Sequence, residues 1–169
     1  MIIEEVNNYY FTKKIFKAIE AFSKKLNLEY SILMDGEAWN IEKRMNKEEL
    51  IQLIETLKID KNEFWLLSSS ALVMRGIYPD AGDLDIAVTE KGFQQLKDNY
   101  NLQKKDNNFY IVNDKVECVI DTKEDWKIEK CGEYNLQSIE MYYEYLKGSN
   151  REKDKARIGL VEEYMNRRK

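Results

Sequence analysis

The sequence predicts an α/β domain: a mixed β-sheet flanked by helices, with an N-terminal helical extension and a C-terminal helical pair. Three observations lead there. A chain of 169 residues with 43% hydrophobic and 12% aromatic side chains has the composition of a folded domain. A chain of this length can bury roughly 70% of the surface its unfolded form exposes. Short apolar or alternating segments in the middle are interleaved with helical periodicities, and longer helical patterns flank them, as expected when helices cover a sheet. There is no internal repeat, no low-complexity tract and no Pro/Gly-rich linker; the only proline is Pro79. Residues 1–45 read as an extension and residues 46–169 as the main domain.

Phe11, Ile15, Ile19, Phe22 and Leu26 recur at helical spacing. Leu28, Tyr30, Ile32 and Met34 then alternate, and Asp35-Gly36 signals a hairpin turn. Asn46 to Ile59 reads as a helix: Asn46 is a good N-cap, Glu49 follows three residues on, and Leu50, Leu53, Ile54 and Leu57 form one apolar stripe. Glu63 to Leu67 reads as a buried strand ending in the turn Ser68-Ser69-Ser70. Ala71 to Arg75 is helix-like and stops at Gly76. Residues 77–82 form a loop, Asp83 to Val88 alternates as a strand, and Glu90 to Asn99 is a short helix. Phe109–Val112 and Val116–Ile120 form a hairpin about Asn113-Asp114. Helices at Leu136–Lys147 and Arg151–Asn166 close the chain, with a break at Gly148-Ser149-Asn150.

Lys+Arg number 27 and Asp+Glu 31, a formal charge of −4, and histidine is absent. No Ser-His-Asp triad, Cys-His pair or imidazole-held zinc can form. Acid–base chemistry must use carboxylates, Lys, Tyr, Cys or water. Cys118 and Cys131 form no CxxC pair and read as reduced thiols. No apolar run is long enough to span a bilayer, and the acidic start, Met1-Ile2-Ile3-Glu4-Glu5, lacks signal-peptide features. The expectation is a cytoplasmic protein with no membrane partner and no DNA footprint.

Asp83-Leu84-Asp85 is the strongest chemical constellation. On a strand, residues i and i+2 face one side, which puts the two carboxylates about 6.6 Å apart along the chain. Like charges so placed repel unless a cation lies between them. Such a pair can bridge two divalent ions roughly 3.5–4 Å apart in a phosphoryl-transfer site. The serine turn before it offers hydroxyls and backbone N–H groups to a phosphate. Glu117, between Val116 and Cys118, completes a carboxylate triad if its strand lies beside Asp83–Val88. Asp121 competes for that place, because residues four apart on a strand share a face; its position at a strand end suits a turn better.

Leu67-Ser68-Ser69-Ser70-Ala71-Leu72, Gly82-Asp83-Leu84-Asp85-Ile86 and Val116-Glu117-Cys118 together resemble the nucleotidyltransferase superfamily of the DNA polymerase beta-like type. The likeness spans about residues 46–121. It points to small single-domain bacterial or phage members related to abortive-infection and toxin–antitoxin nucleotidyltransferases. The resemblance implies that Ser69, flanked by Ser68 and Ser70, binds nucleotide phosphate. It implies that Asp83, Asp85 and Glu117 hold Mg²⁺, two ions during catalysis, with an NTP as substrate. The acceptor would be a small molecule, a protein or RNA. Arg151-Glu152-Lys153-Asp154-Lys155 is similar to the Lys-Asp run that opens a late helix in such proteins, which makes Lys153 a phosphate candidate alongside Arg75. Lys153 and Arg157, four apart, share a helical face. One departure stands out: the family glycine before the serine is Ser68 here, and glycine is what lets a loop backbone approach phosphates at positive φ. A second expectation therefore keeps the fold without the chemistry, as a protein-interaction module of phage, defence-system or antitoxin type. Ser68 favours that alternative; the intact Asp83/Asp85 pair opposes it.

Overall fold

The computed structural model describes residues 30–34, 37–41, 44–122 and 127–168, with residues 30–41, 152 and 153 described by backbone alone. The chain divides into two compact units, Met1–Arg44 and Met45–Lys169. In the first, β1 (Tyr30–Met34) and β2 (Glu37–Ile41) pair antiparallel, with Met34 opposite Glu37. The helix expected over Phe11 to Leu26 lies outside the described residues, as does the Asp35-Gly36 turn.

The second unit begins with α1 (Lys47–Thr56). Asn46 caps it through a reciprocal box: its side chain accepts from the Glu49 N–H, and the Glu49 carboxylate accepts from the Asn46 N–H, both at 3.0 Å. The helix ends before Ile59 because Leu57 turns extended, at ψ 131°. A single 3-10 turn, Lys61–Glu63, leads into β3 (Phe64–Leu66). The serines then differ from expectation. They are the first turn of α2 (Ser68–Met74), not a loop before a helix starting at Ala71. At its far end Gly76 takes φ 73°, and the N–H groups of Gly76 and Ile77 donate to Val73 and Leu72, a Schellman stop.

β4 (Leu84–Val88) and α3 (Glu90–Asn99, capped by Thr89) match their predicted places. β5 (Gln103–Lys104), β6 (Tyr110–Asn113) and β7 (Val116–Ile120) follow as a meander. β8 (Ile128–Cys131) and β9 (Tyr134–Gln137) form a hairpin that the sequence pattern did not reveal. Leu136, read as the start of a helix, is instead the centre of β9; α4 spans Ile139–Gly148 and α5 Glu152–Arg167.

The seven strands order as β5-β6-β7-β4-β3-β9-β8. β4 runs antiparallel to β3 and parallel to β7, and β3 runs parallel to β9. The parallel step from β4 to β7 needs a crossover, which α3 supplies. Alternation then sorts the sheet into two faces. Phe64, Leu66, Leu84, Ile86, Val116, Cys118 and Leu136 meet Leu50, Ile54, Val73 and Leu96 of the three helices in the main core. Trp65, Leu67 and Ala87 lie on the other face with Phe109, Val119 and Ile128. Each fully buried aliphatic chain of this kind contributes about 1.5–3 kcal/mol. Leu72 turns from α2 toward Ile139, Tyr142, Leu146 and Val161, which ties the C-terminal helical pair to the sheet domain. No helix among the described residues is long and apolar enough to cross a membrane.

Candidate active site

Strand register brings the carboxylates together. Asp85 lies directly opposite Glu117 on the parallel neighbour β7, and both alternate away from Leu84, Ile86, Val116 and Cys118, which are fully buried. Asp83 precedes β4 by one residue and falls on the same side as Asp85 by the two-residue period. Asp121 donates its backbone N–H to Val88 and its carboxylate accepts from Thr122, so it ends the strand as a turn residue. Glu117 is the acid beside the aspartates.

The serine turn reaches the same place because β3 is antiparallel to β4, so that the end of one adjoins the start of the other. The Leu67 N–H donates to the Asp85 carbonyl at 2.9 Å. The buried Ser70 hydroxyl donates to the Asp83 carbonyl at 3.0 Å, and so fixes the backbone that carries the first aspartate. Ser69 is buried beside it. Ser68 has φ 48°, the left-handed conformation that glycine adopts freely. Its N–H donates to Gln137 Oε1 on β9 at 3.3 Å. Ser68 therefore holds a left-handed backbone although it carries a Cβ. Leu67, the residue before α2, gives no side-chain cap.

Sequence reasoning missed Lys105. Its backbone N–H donates to the Phe109 carbonyl at 2.7 Å, one rung beyond β5, and its ammonium reaches across β6 to both Glu117 oxygens at 2.7 and 2.8 Å. The Glu117 hydrogen bond, with the charges of Glu117, Asp85 and Asp83, holds the Lys105 pKa above the ordinary lysine value, against the smaller pull of burial. The only signal for this residue was the parity it shares with Gln103 on a strand too short to read. Cys118, next in sequence to Glu117, is not a nucleophile: burial, then the Glu117 charge, push its thiol up to about 12.

Two other sequence candidates are bound within the fold. The nearly buried Arg75 guanidinium donates to the carbonyls of Ala71 and Gln137, at 3.2 and 2.5 Å, and to Glu129 at 3.2 Å. A phosphate would have to displace those partners. Arg157 is buried between helices, with Tyr142 Oη at 3.1 Å and Asp154 at 3.5 Å. Lys153 lies on α5, and its side chain is outside the described residues.

In comparison with known proteins, no family model and no curated protein matches the chain. The site therefore rests on its own geometry. Among the described residues, no group of three His, Cys, Asp or Glu side chains is arranged to hold a metal ion. A magnesium centre closed by three protein carboxylates does not fit, because Lys105 engages Glu117 through both oxygens. The Lys105 ammonium is itself a cation paired with Glu117.

Proposed function

We propose that this chain is a nucleotidyltransferase that moves a nucleoside monophosphate from an NTP to a hydroxyl acceptor and releases pyrophosphate. One observation carries the reading: the serine turn, Asp83, Asp85 and Glu117 come from separate segments of the chain and meet at one end of β3, β4 and β7.

Asp83 and Asp85 would bind the Mg²⁺ that accompanies the nucleotide. That ion, when bound, supplies charge neutralisation at the phosphates. The α2 serine turn orients the triphosphate through backbone N–H groups and hydroxyls. Glu117 stands one strand over, placed to accept the proton of the attacking hydroxyl. The acceptor, whether small molecule, protein or RNA, is set by surroundings that the fold does not fix. The reading takes the activity to be cytoplasmic, because an NTP substrate would be drawn from the pool inside the cell.

Thermal shift with each NTP, with and without Mg²⁺, tests the reading. Binding of a ligand to the native state alone at 100 times its Kd stabilises by about 2.7 kcal/mol. We expect a rise in Tm that needs Mg²⁺ and disappears in the Asp83→Asn, Asp85→Asn double variant. No rise with any NTP sinks the enzyme. A specific observation favours the second reading, a protein-interaction module on the same fold: Glu117 is already satisfied by Lys105. That reading predicts that the double aspartate variant keeps its biological activity.

A further inference from the structure

We propose that Gln137, the last residue of β9, is a positioning residue: its side-chain carbonyl sets the left-handed backbone of Ser68 and with it the shape of the serine turn. That this shape serves a nucleotide rests on the nucleotidyltransferase reading of the turn; the backbone role does not.

Register places the glutamine. β9 runs parallel to β3 with Leu136 opposite Leu66, so Gln137 and Leu67, next along each strand, stand side by side. Gln137 is buried, and its Oε1 accepts the Ser68 N–H at 3.3 Å. The first N–H groups of a helix have no partner within it. Leu67, the residue before α2, has no side-chain oxygen and gives no cap. The glutamine supplies the acceptor from a strand 69 residues further along the chain.

The acceptor is itself held. The Arg75 side chain, only 3% exposed, folds back along α2 and donates to the Ala71 carbonyl at 3.2 Å and the Gln137 carbonyl at 2.5 Å. It also meets one Glu129 oxygen at 3.2 Å, while the other accepts the Ile139 N–H at 2.9 Å. One arginine at the C-terminal end of α2 thus fixes the strand end that holds its N-terminal end. From the other side, the Leu67 N–H and the Ser70 hydroxyl are tied to the backbone of Asp85 and Asp83. A left-handed residue that carries a Cβ is strained and persists only where its surroundings over-determine it. At φ 48° Ser68 is such a residue. The bond from Gln137 lies past the usual N–H···O range and is weak alone. It becomes a constraint because Arg75 pins the glutamine backbone.

The test is hydrogen exchange of the Ser68 amide, read residue by residue by NMR on the full chain. Gln137→Met keeps the length of the side chain and removes the oxygen. It should speed exchange at Ser68 about fivefold, the factor that one lost hydrogen bond gives, and leave the Ile86 and Val88 amides of β4 unchanged. Gln137→Glu, which keeps an acceptor oxygen there, should exchange as the wild type does. Should Gln137→Met not fold, Gln137→Asn, which draws the oxygen back by one methylene, carries the same expectation. Unchanged exchange at Ser68 in the variant without the acceptor overturns the proposal. So does an equal rise at Ile86 and Val88, which would be general loosening. Thermal shift with NTP and Mg²⁺ then reads the consequence. Gln137→Met should weaken NTP binding by the same factor of about five. Adding Ser68→Gly should restore it, because glycine takes the left-handed backbone without help. A wild type that binds NTP with Gln137→Met binding it equally well overturns the positioning role, as does a weakening that Ser68→Gly leaves in place. A wild type that binds no NTP, with the exchange results intact, removes the nucleotidyltransferase reading and leaves the Gln137 role standing.

Discussion

Ser68 sits at φ 48° with its N–H held by Gln137, a conformation in which a Cβ costs about 1–2 kcal/mol. Glycine would remove that strain while adding flexibility to the unfolded chain, worth about 0.4–1 kcal/mol in the other direction. Ser68→Gly should therefore be neutral or stabilising by up to about 1.6 kcal/mol, measured as a denaturant midpoint. A loss larger than that would mean the hydroxyl itself is needed. At this scale the sequence singled out Ser68 in the serine turn, but it could not say that the backbone there is left-handed. It did not name Lys105 at all. A lysine's bearing on a carboxylate twelve residues away depends on strand register, which no local pattern encodes.

α3 shows how an element is fixed by what it touches. Gly92 lies where a Cβ would stand 2.6 Å from the Glu63 carbonyl oxygen and 2.9 Å from the Glu63 Cβ. The Thr89 N–H donates to that same carbonyl, so the helix starts flush against the 3-10 turn. Gly92→Ala must push backbone apart and should cost about 1–3 kcal/mol. Gly159, exposed on α5, is the counterpart: a Cβ at that position would meet nothing within 4 Å. Gly159→Ala should stabilise by about 0.5–1 kcal/mol, because helical glycine carries an entropic cost that alanine does not. Thermal melts of the two variants should move in opposite directions; a shared direction would contradict the packing described. The capping box of Asn46 with Glu49 was legible in the sequence and marked the start of α1; the Thr89 cap of α3 was read only from the structure. β9 was not legible either. Tyr134-Asn135-Leu136-Gln137 has no β-branched residue and holds good helix formers. It is a strand because Asn135 donates to the carbonyls of Lys61 and Phe64, while Gln137 receives the Ser68 N–H.

At the scale of the second unit, the C-terminal helix α5 is tied to the break between α4 and α5 by a buried acid. The Asp154 carboxylate accepts from Ser149 at 2.6 Å and Arg151 at 2.5 Å, with Arg157 at 3.5 Å. Burial pushes its pKa up, but those hydrogen bonds and charges together outweigh burial and hold it below the usual 3.8. A depressed native pKa gives stability that is present above 3.8 and lost as pH falls through the lower native value. Asp154→Asn should therefore destabilise at neutral pH by about 1.5–3 kcal/mol, the range for lost hydrogen bonds to a charged group. It should also flatten the acid limb of a plot of Tm against pH; an unchanged acid limb would refute the assignment. The sequence by itself determined the α/β class, the helix capped by Asn46, the hairpin about Asn113-Asp114, and the serine and aspartate segments, because caps, turns and two-residue alternation are local. Only the tertiary structure decided that Glu117 stands beside Asp85, that β9 runs along β3, and that Lys105 pairs with Glu117. Each of those depends on which strands pair and in what register, and pairing is settled by burial of one sheet face against distant helices.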